Sequence, residues 1–269
     1  MRTVLDDPAH LDNDTMLALA ELLGIQTLPL VLDVAHRHES VEAWTHAHAV
    51  AQQRLAQSGL VDEEDEVAPA LAEAMHILAR PDRELVMRAY DESGVRRVCL
   101  ARRGFGHALA VRTGAQIVVG TAWADEGGAS LARLLLAVLG AAPAAEVGNV
   151  SAPAQALADA LDRGAEIGDY AHELYGLGVE DRTAVAFGLT ISKCRTRAEI
   201  VAYAHENGVT AKSSGAVAVY DTENGRVVAS PRVSPDGSVW CTFSPGSDHR
   251  VAEAISNLVE ALPGGRWMP

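Results

Sequence analysis

The chain has 269 residues, of which 48% are hydrophobic and 22% are charged, close to the averages of globular proteins. This length can bury the core of one large domain or two small ones, and the composition excludes a disordered or fibrous protein. The formal net charge of -14 repels phosphate backbones and anionic lipid headgroups. We therefore expect neither nucleic acid nor a membrane as a partner.

Cysteine usage and the N-terminal sequence indicate a cytoplasmic protein. Cys99, Cys194 and Cys241 are odd in number and far apart, which argues against a disulfide framework and fits a reducing compartment. The N-terminal stretch has no apolar core behind its charge, and uncharged runs such as Leu134 to Ala145 are too short to span a bilayer. We therefore expect a soluble chain without membrane insertion.

Hydrophobic periodicity predicts three helices in the first part of the chain. Apolar residues three and four apart follow Asp14, with Gly24 as a stop signal. Ser40 offers an N-cap for a second helix that reaches Gly59. A third apolar stripe follows the acidic run 62–66, which we expect at the N-terminus of that helix because negative charge is favourable there.

Alternating apolar residues then predict a four-stranded meander, which a leucine-rich helix at 130–139 follows. The predicted strands are Glu84 to Tyr90, Val95 to Arg102, His107 to Arg112 and Gln116 to Trp123. The connections at 91–94, 103–106 and 113–114 are short enough to make neighbouring strands antiparallel.

The rest of the chain repeats this pattern. Residues 141–153, rich in Ala, Gly and Pro, read as a connector, and Asn224-Gly225 and Asp236-Gly237 are strong hairpin signals. The predicted helices are 155–163, 167–175, 182–189 and 249–262, and the predicted strands are 199–206, 216–220, 226–233 and 239–243.

The repeated order of four strands and a helix predicts the fold class. It occurs at Glu84–Leu139 and at Glu199–Leu262, a period of roughly 120 residues that is too long for a solenoid unit. We predict two pseudo-symmetric halves, 1–142 and 143–269, that together form one domain. Each meander has one face to bury, so we expect an α+β fold with a central antiparallel sheet built from both meanders and flanked by helical bundles.

The sequence contains none of the common catalytic or cofactor motifs. There is no phosphate loop ending in Gly-Lys-Ser/Thr, no His-Glu-x-x-His, no Gly-x-Ser-x-Gly and no Cys-x-x-Cys. Gly104-Phe-Gly106 is similar to the start of a dinucleotide motif, but Leu109 replaces the third glycine and a predicted strand follows, which favours a hairpin turn. We expect no enzyme, no catalytic residue and no cofactor.

Histidine, cysteine and tryptophan residues are the remaining candidates for a site. The densest histidine cluster comprises His36, His38, His46 and His48. Imidazole pairs can bind zinc or copper, but helical residues two apart point about 200° from each other, so we expect no metal site. Cys99 and Cys241 fall in predicted strands and are expected to pack as small hydrophobic residues. Trp44, Trp123 and Trp240 fit core or sheet positions, whereas Trp267 is expected to pin the tail.

A set of segments in a fixed order carries a family resemblance. The segments are Ala79-Arg-Pro-Asp-Arg83, Val98-Cys-Leu-Ala-Arg-Arg-Gly104, His107-Ala-Leu-Ala-Val-Arg112, Asn224-Gly-Arg-Val-Val228, and Val239-Trp-Cys-Thr-Phe-Ser-Pro-Gly246 leading through a helix to Leu262-Pro-Gly-Gly-Arg-Trp267. Together they resemble the EspG family of ESX secretion-associated proteins. None of them is chemically diagnostic alone, and their order and spacing cover nearly the whole chain.

The resemblance implies a pseudo-twofold EspG-like fold and a cytosolic chaperone of type VII (ESX) secretion. Such a chaperone binds the PPE subunit of a PE/PPE-like heterodimer at its apolar tip, keeps the pair soluble and directs it to the secretion machinery without nucleotide or metal. The free protein is expected to be a monomer or weak homodimer. The alternatives are a fold relative that serves a different ESX substrate and a small-molecule hydrolase or transferase whose site escaped motif search.

The resemblance also implies a recognition surface made of the loop between the first two meander strands, here 90–95, and the second-half helices, here 167–189. The candidate residues are Asp91, Glu92, Ser93, Gly94, Tyr170, Leu174, Tyr175, Leu177, Val185 and Phe187. The two tyrosines are favoured because tyrosine is common among interface anchors. The tight turn at 91–94 departs from the longer loop that relatives often carry.

Overall fold

The computed structural model describes residues 5–164 and 166–269, the side chain of Ile167 excepted. The first part runs as a strand, three helices, a four-stranded meander and a helix. These elements are β1 (Asp6–Leu11), α1 (Asn13–Leu22), a 3-10 turn (Leu30–Leu32), α2 (Val41–Gln57), α3 (Pro69–Ala79), β2 (Arg83–Asp91), β3 (Gly94–Arg103), β4 (Gly106–Thr113), β5 (Gln116–Ala122) and α4 (Gly128–Leu139).

The second part repeats this order and adds one short strand. Its elements are β6 (Val150–Pro153), α5 (Ala154–Arg163), α6 (Ile167–Gly176), α7 (Asp181–Ile191), β7 (Cys194–Glu206), β8 (Val209–Lys212), β9 (Val217–Thr222), β10 (Gly225–Val233), β11 (Val239–Pro245) and α8 (Asp248–Glu260). The division of the chain into halves at residue 142 stays a prediction.

One antiparallel sheet runs through the described part of the molecule. Its strand order is β1-β5-β4-β3-β2-β7-β9-β10-β11-β6, with β8 added to β7. At its centre β2 pairs with β7, from Arg83 opposite Ala204 to Tyr90 opposite Arg197. The two meanders therefore join through their first strands, with a pseudo-twofold relation between β2 and β7. The predicted α+β fold class with a shared central sheet is confirmed.

Short hairpins set the register of the meanders. Asp91 pairs with Gly94, which leaves a two-residue loop, and Gly94 has a φ of 121° that glycine adopts most readily. Gly225 follows the loop that joins β9 to β10 and has a φ of 110°. A Cβ at Gly225 would lie 2.8 Å from the backbone nitrogen of Ala145, so this turn also leaves room for the connector between the halves.

Helices cover the sheet on both faces. On one face α4 and α8 pack over strands of both halves in a shared core that includes Leu85, Met87, Leu134, Ala198, Ile200 and Ile255. On the other face α1, α2 and α3 form an N-terminal bundle over the first-half strands, with Met16, Leu55, Met75 and Val119 in its core. A C-terminal bundle of α5, α6 and α7 covers the second-half strands, with Leu157, Leu174, Phe187 and Phe243 in its core.

The acidic run 62–66 has a different role from the one predicted. The carboxylate of Asp62 accepts hydrogen bonds from the amides of Glu64 and Glu66, and Val61 forms a bridge with Val67. α3 begins only at Pro69, and its N-cap residue makes no side-chain cap. The run therefore closes a loop instead of capping the helix, because the carboxylate of Asp62 binds amides within the run.

Of the four tryptophans, Trp267 is fully buried, with 1% of its surface exposed. Its Nε1 donates a hydrogen bond to Nε2 of His107 at 2.9 Å, which confirms that it pins the tail. Trp240 lies in β11 as predicted, but Trp44, Trp123 and Trp240 are 36%, 65% and 39% exposed. Trp240 therefore has the sheet position predicted for it, whereas Trp44 and Trp123 lie outside both the strands and the core, so the prediction is wrong for these two residues.

Candidate partner-binding surface

The two helical bundles leave the middle of the sheet open on the face that they share. In β2 and β7 every second side chain points into the shared core beneath α4 and α8. The side chains between them line the opposite face, and we call the following set the central strip: Glu84, Val86, Arg88, Tyr90, Arg197, Glu199, Val201 and Tyr203. Most of these residues are partly exposed. A partner can therefore reach the sheet between the bundles.

Tyrosine and arginine lie side by side at one end of the central strip. The guanidinium of Arg197 lies 5.7 Å from the centre of the Tyr90 ring, which gives a cation–π contact. Arg197 also pairs with Glu199 at 3.2 Å. On its other side Arg197 is opposite Tyr220, whose pKa burial raises to about 12, so that this phenol stays neutral. Tyr90, Arg197 and Tyr220 together offer a partner aromatic surface and hydrogen-bond donors.

The predicted turn between β2 and β3 is short and held by hydrogen bonds. The carboxylate of Asp91 accepts hydrogen bonds from the hydroxyl and amide of Ser93 and from Arg96. The hydroxyl of Ser93, and then its amide, hold the pKa of Asp91 below its usual value. Arg96 also donates to the backbone oxygen of Val138 in α4. Glu92, Ser93 and Gly94 are exposed, so the turn presents a preformed acidic tip.

The α6–α7 hairpin divides the predicted binding residues into core and surface. Leu174 and Phe187 have at most 1% of their surface exposed, and the ring of Phe187 packs 5.1 Å from that of Phe243. Apolar side chains that face the sheet form the core of the bundle, so these two cannot touch a partner, and their assignment to the recognition surface is corrected. Tyr175 and Val185 are 62% and 42% exposed and remain available.

Tyr170 and Leu177 lie between these extremes. Both are partly buried and pack against the core of the C-terminal bundle. A Cβ at Gly164 would lie 2.3 Å from Cδ1 of Tyr170, so the ring of Tyr170 packs on the glycine that follows α5. Leu189, the last residue of the predicted range 167–189, is 42% exposed and lies one helical turn beyond Val185, so it extends this apolar surface. The side chain of Ile167 lies outside the described residues.

The fold brings the predicted turn and the end of α7 to the same end of the sheet. Tyr90, next to the turn, is opposite Arg197, near the start of β7, and β7 follows α7 directly. The backbone oxygen of Leu189 in α7 accepts a hydrogen bond from Asn224 in the β9–β10 turn, which lies at this end too. The central strip runs from here towards the opposite end of the sheet.

A groove of about 500 Å³ lies between the central strip and the N-terminal bundle. Glu84, Val86 and Arg88 belong to its floor, and residues 27–31 line one wall. Leu30 in that wall is 94% exposed. The Oε2 atom of Glu84 lies 2.9 Å from Nε2 of His205, so this carboxylate has a partner within the chain.

Sequence reasoning missed the central strip as a site. The alternation in β2 already separates Arg88 and Tyr90 from the buried Met87, so the residues that β2 contributes to the strip could have been predicted from the sequence. The residues that β7 contributes could not have been placed beside them, because nothing local in the sequence indicates that β2 pairs with β7.

The histidine cluster lies around α2. The ring of Trp44 stacks on that of His48 at 5.4 Å and meets His36 edge-on, and His38 lies 3.3 Å from the carboxylate of Asp14.

Cys99 is buried, as predicted, and Cys241 is partly buried in β11. Across residues 5–164 and 166–269, no helix combines the length and apolar character needed to cross a membrane.

Comparisons with known proteins agree with this architecture. The sequence profile of the EspG family matches residues 12–257. The chain is 30% identical over 259 residues to the ESX-1 secretion-associated protein EspG1 of Mycobacterium tuberculosis, covering 95% of this chain and 87% of that protein. It is 29% identical over 261 residues to the ESX-3 secretion-associated protein EspG3 of Mycolicibacterium smegmatis, covering 97% and 89% of the two chains.

A solved structure has the same fold. It shows the type VII secretion system chaperone EspG5 of Mycobacterium tuberculosis in complex with the PE25-PPE41 dimer. EspG5 is similar to this chain with a TM-score of 0.80 and 21% identity, over 97% of this chain and 98% of EspG5. The family profile, the relatives and the duplicated sheet agree, and the chain belongs to the EspG family.

Proposed function

We propose that this chain is a cytoplasmic, substrate-specific chaperone of type VII (ESX) secretion. It binds the PPE-like subunit of a PE/PPE-like heterodimer at its apolar tip, keeps the pair from self-associating and directs it to the secretion machinery. The observation that carries the proposal is the open central strip of tyrosine and arginine beside the exposed residues of the α6–α7 hairpin. EspG5, which shares the fold, is a chaperone in complex with such a dimer.

Binding alone is sufficient for this role. An exposed apolar tip on a helical pair invites self-association, and a complementary surface removes that patch from water without a chemical step. Tyrosine and arginine are enriched among the residues that dominate binding energy, and both lie in the central strip. The chaperone acts stoichiometrically and is a monomer or weak homodimer when free, a state that sedimentation velocity measures.

Replacing Tyr175 with glutamate tests the α6–α7 part of the surface. Tyr175 is 62% exposed, so the change leaves the core intact and thermal unfolding should shift little. In the complex the new carboxylate must lose water against an apolar contact, so we expect the Kd for the PE/PPE-like pair to rise at least about tenfold. Isothermal titration or gel filtration of the co-expressed complex provides the readout.

Trp123 supplies the matched control. It is 65% exposed and follows β5 at the end of the sheet opposite the β2–β3 turn. W123E places the same charge on an exposed aromatic position away from the proposed surface, so it should leave the Kd unchanged. If Y175E binds as tightly as the wild type, the α6–α7 hairpin is not part of the surface. If no PE/PPE-like pair binds the wild type, the proposed function is wrong.

A further inference from the structure

Three arginines stand in one row across the sheet, on the face of the central strip. Arg112 of β4 is directly opposite Arg97 of β3, and Arg97 is directly opposite Arg88 of β2. Like charges directly opposite each other on neighbouring strands are destabilising. The row is therefore a local excess of positive charge in a chain whose formal net charge is -14.

Arg112 and Arg97 have partners within the chain. Arg112 is buried and donates to the backbone oxygens of Leu32, at 2.9 Å, and Asp33. Burial, followed by the charge of Arg37, lowers the pKa of Arg112. Nη2 of Arg97 lies 3.7 Å from Oδ2 of Asp33, and the same oxygen accepts a hydrogen bond from Arg37 at 3.0 Å. The carboxylate of Asp33 is therefore shared between the guanidinium groups of Arg37 and Arg97.

Arg88, the last arginine of the row, makes no hydrogen bond or ion pair with the residues that the structure describes. Glu199 is directly opposite it on β7 but is paired with Arg197 at 3.2 Å. Glu84, on the same face of β2, is bound to His205. Both carboxylates of the central strip are therefore engaged, while Arg88 lies partly buried in the floor of the groove beside residues 27–31.

We propose that Arg88 receives a carboxylate from the docking segment of the bound partner, an acidic side chain carried next to its apolar tip. This inference rests on the proposed function. A guanidinium offers two parallel N–H donors that match a carboxylate, and such pairs are strong when water is excluded. The exposed Leu30 beside the groove supplies the apolar contact that excludes water from this pair. The partner's charge also relieves the repulsion within the arginine row.

The free protein provides the first test. If Arg88 has no partner until the bound protein provides one, R88Q removes a repulsive charge from the free protein and breaks no hydrogen bond or ion pair. The thermal midpoint of R88Q should then equal or exceed that of the wild type. Any gain should shrink at about 0.5 M NaCl, because salt screens the row. The control is R232Q, at an exposed arginine of β10 that lines the groove beside α8, on the opposite sheet face. If the thermal midpoint of R88Q lies below the midpoints of both the wild type and R232Q, the inference is wrong.

Binding provides the second test, with a purified PE/PPE-like pair and the full chain. We expect R88E to raise the Kd at least about tenfold, R88Q to raise it less, and R232E to leave it unchanged. Replacing acidic residues near the partner's tip with arginine, one at a time, should identify one variant that restores binding to R88E. If the wild type binds and R88E binds equally well, the inference is wrong and the proposed function stands. If the wild type does not bind, the proposed function fails first.

Discussion

His107 is a neutral hydrogen-bond acceptor beneath the C-terminal tail. Nε1 of Trp267 can only donate, so Nε2 of His107 must accept, and the ring proton belongs on Nδ1. The two rings also stack with centroids 6.1 Å apart. Burial, and then the charge of Arg102 on the neighbouring strand, lower the pKa of His107. Protonation would place two donors face to face and add a cation beside an arginine.

This arrangement predicts a pH dependence of stability. Because the folded state lowers the pKa of His107, the unfolded state binds its proton more readily. The stabilisation is complete above the unfolded pKa of about 6.5 and is lost as the pH falls below that value towards the folded pKa. We expect the free energy of unfolding, measured with urea, to fall between about pH 7 and pH 5.5.

The variant H107N separates this contribution from those of the other histidines, since the chain has 10 in all. H107N should be less stable than the wild type at pH 7.5, and the difference in the free energy of unfolding should narrow as the pH falls. A difference that stays constant across the range would show that His107 does not titrate beneath the tail.

Within the α6–α7 hairpin, neighbouring residues have opposite roles. Leu174 is buried and Tyr175 is exposed, although they are adjacent in the sequence, because successive residues of a helix point about 100° apart. The predicted site treated the segment as one surface. Apolar composition alone cannot separate the side that packs on β9 and β11 from the side that faces solvent, because both carry aliphatic and aromatic residues.

Phe187 and Val185 test this division. F187A leaves a cavity against Phe243 and should lower the free energy of unfolding by about 3–5 kcal/mol. V185A removes side-chain volume from a position that is 42% exposed and should cost less than about 1 kcal/mol. Chemical denaturation measures both values. Comparable losses for the two variants would contradict the assignment of Phe187 to the core and Val185 to the surface.

β1, β6 and β8 were not predicted from the sequence, and one physical cause explains all three omissions. β1 contains two aspartates and a proline and carries a register shift, β6 has four residues and ends in a proline, and β8 also has four residues. β1 and β6 are the outer strands of the sheet. Charge, proline and short length protect a sheet edge from unwanted pairing, and they also remove the alternation that identifies a strand.

The long central strands could be predicted because they combine clear alternation with turns of known chemistry, such as Asn224-Gly225. The duplicated order of elements indicated two halves sharing one sheet. It did not indicate that the halves meet through β2 and β7, because this pairing joins residues more than a hundred positions apart. The central strip exists only because of that pairing, so it could not be found from local patterns.

The shared core predicts that neither half folds alone. Leu85 and Ile200 come from different halves and pack in the same core, which α4 and α8 complete. A separated half would expose this apolar face and the paired edge of β2 or β7. We expect residues 1–142 and 143–269 to be insoluble or molten when expressed separately, and to form a one-to-one complex when co-expressed. Circular dichroism and gel filtration measure both outcomes. A half that unfolds cooperatively by itself would contradict the prediction.

The N-terminal and C-terminal bundles on either side of the central strip pack on one continuous sheet, and the core shared by the halves covers the opposite face of that sheet. Bringing the two bundles together would bend the sheet and disturb the close-packed core on its other face, so the distance between the bundles is set before a partner arrives. A receptor of fixed width loses little conformational entropy on association. Discrimination among related cargoes then depends on the shape and charge that each cargo brings, and encounter should lead to the complex without a slow closing step.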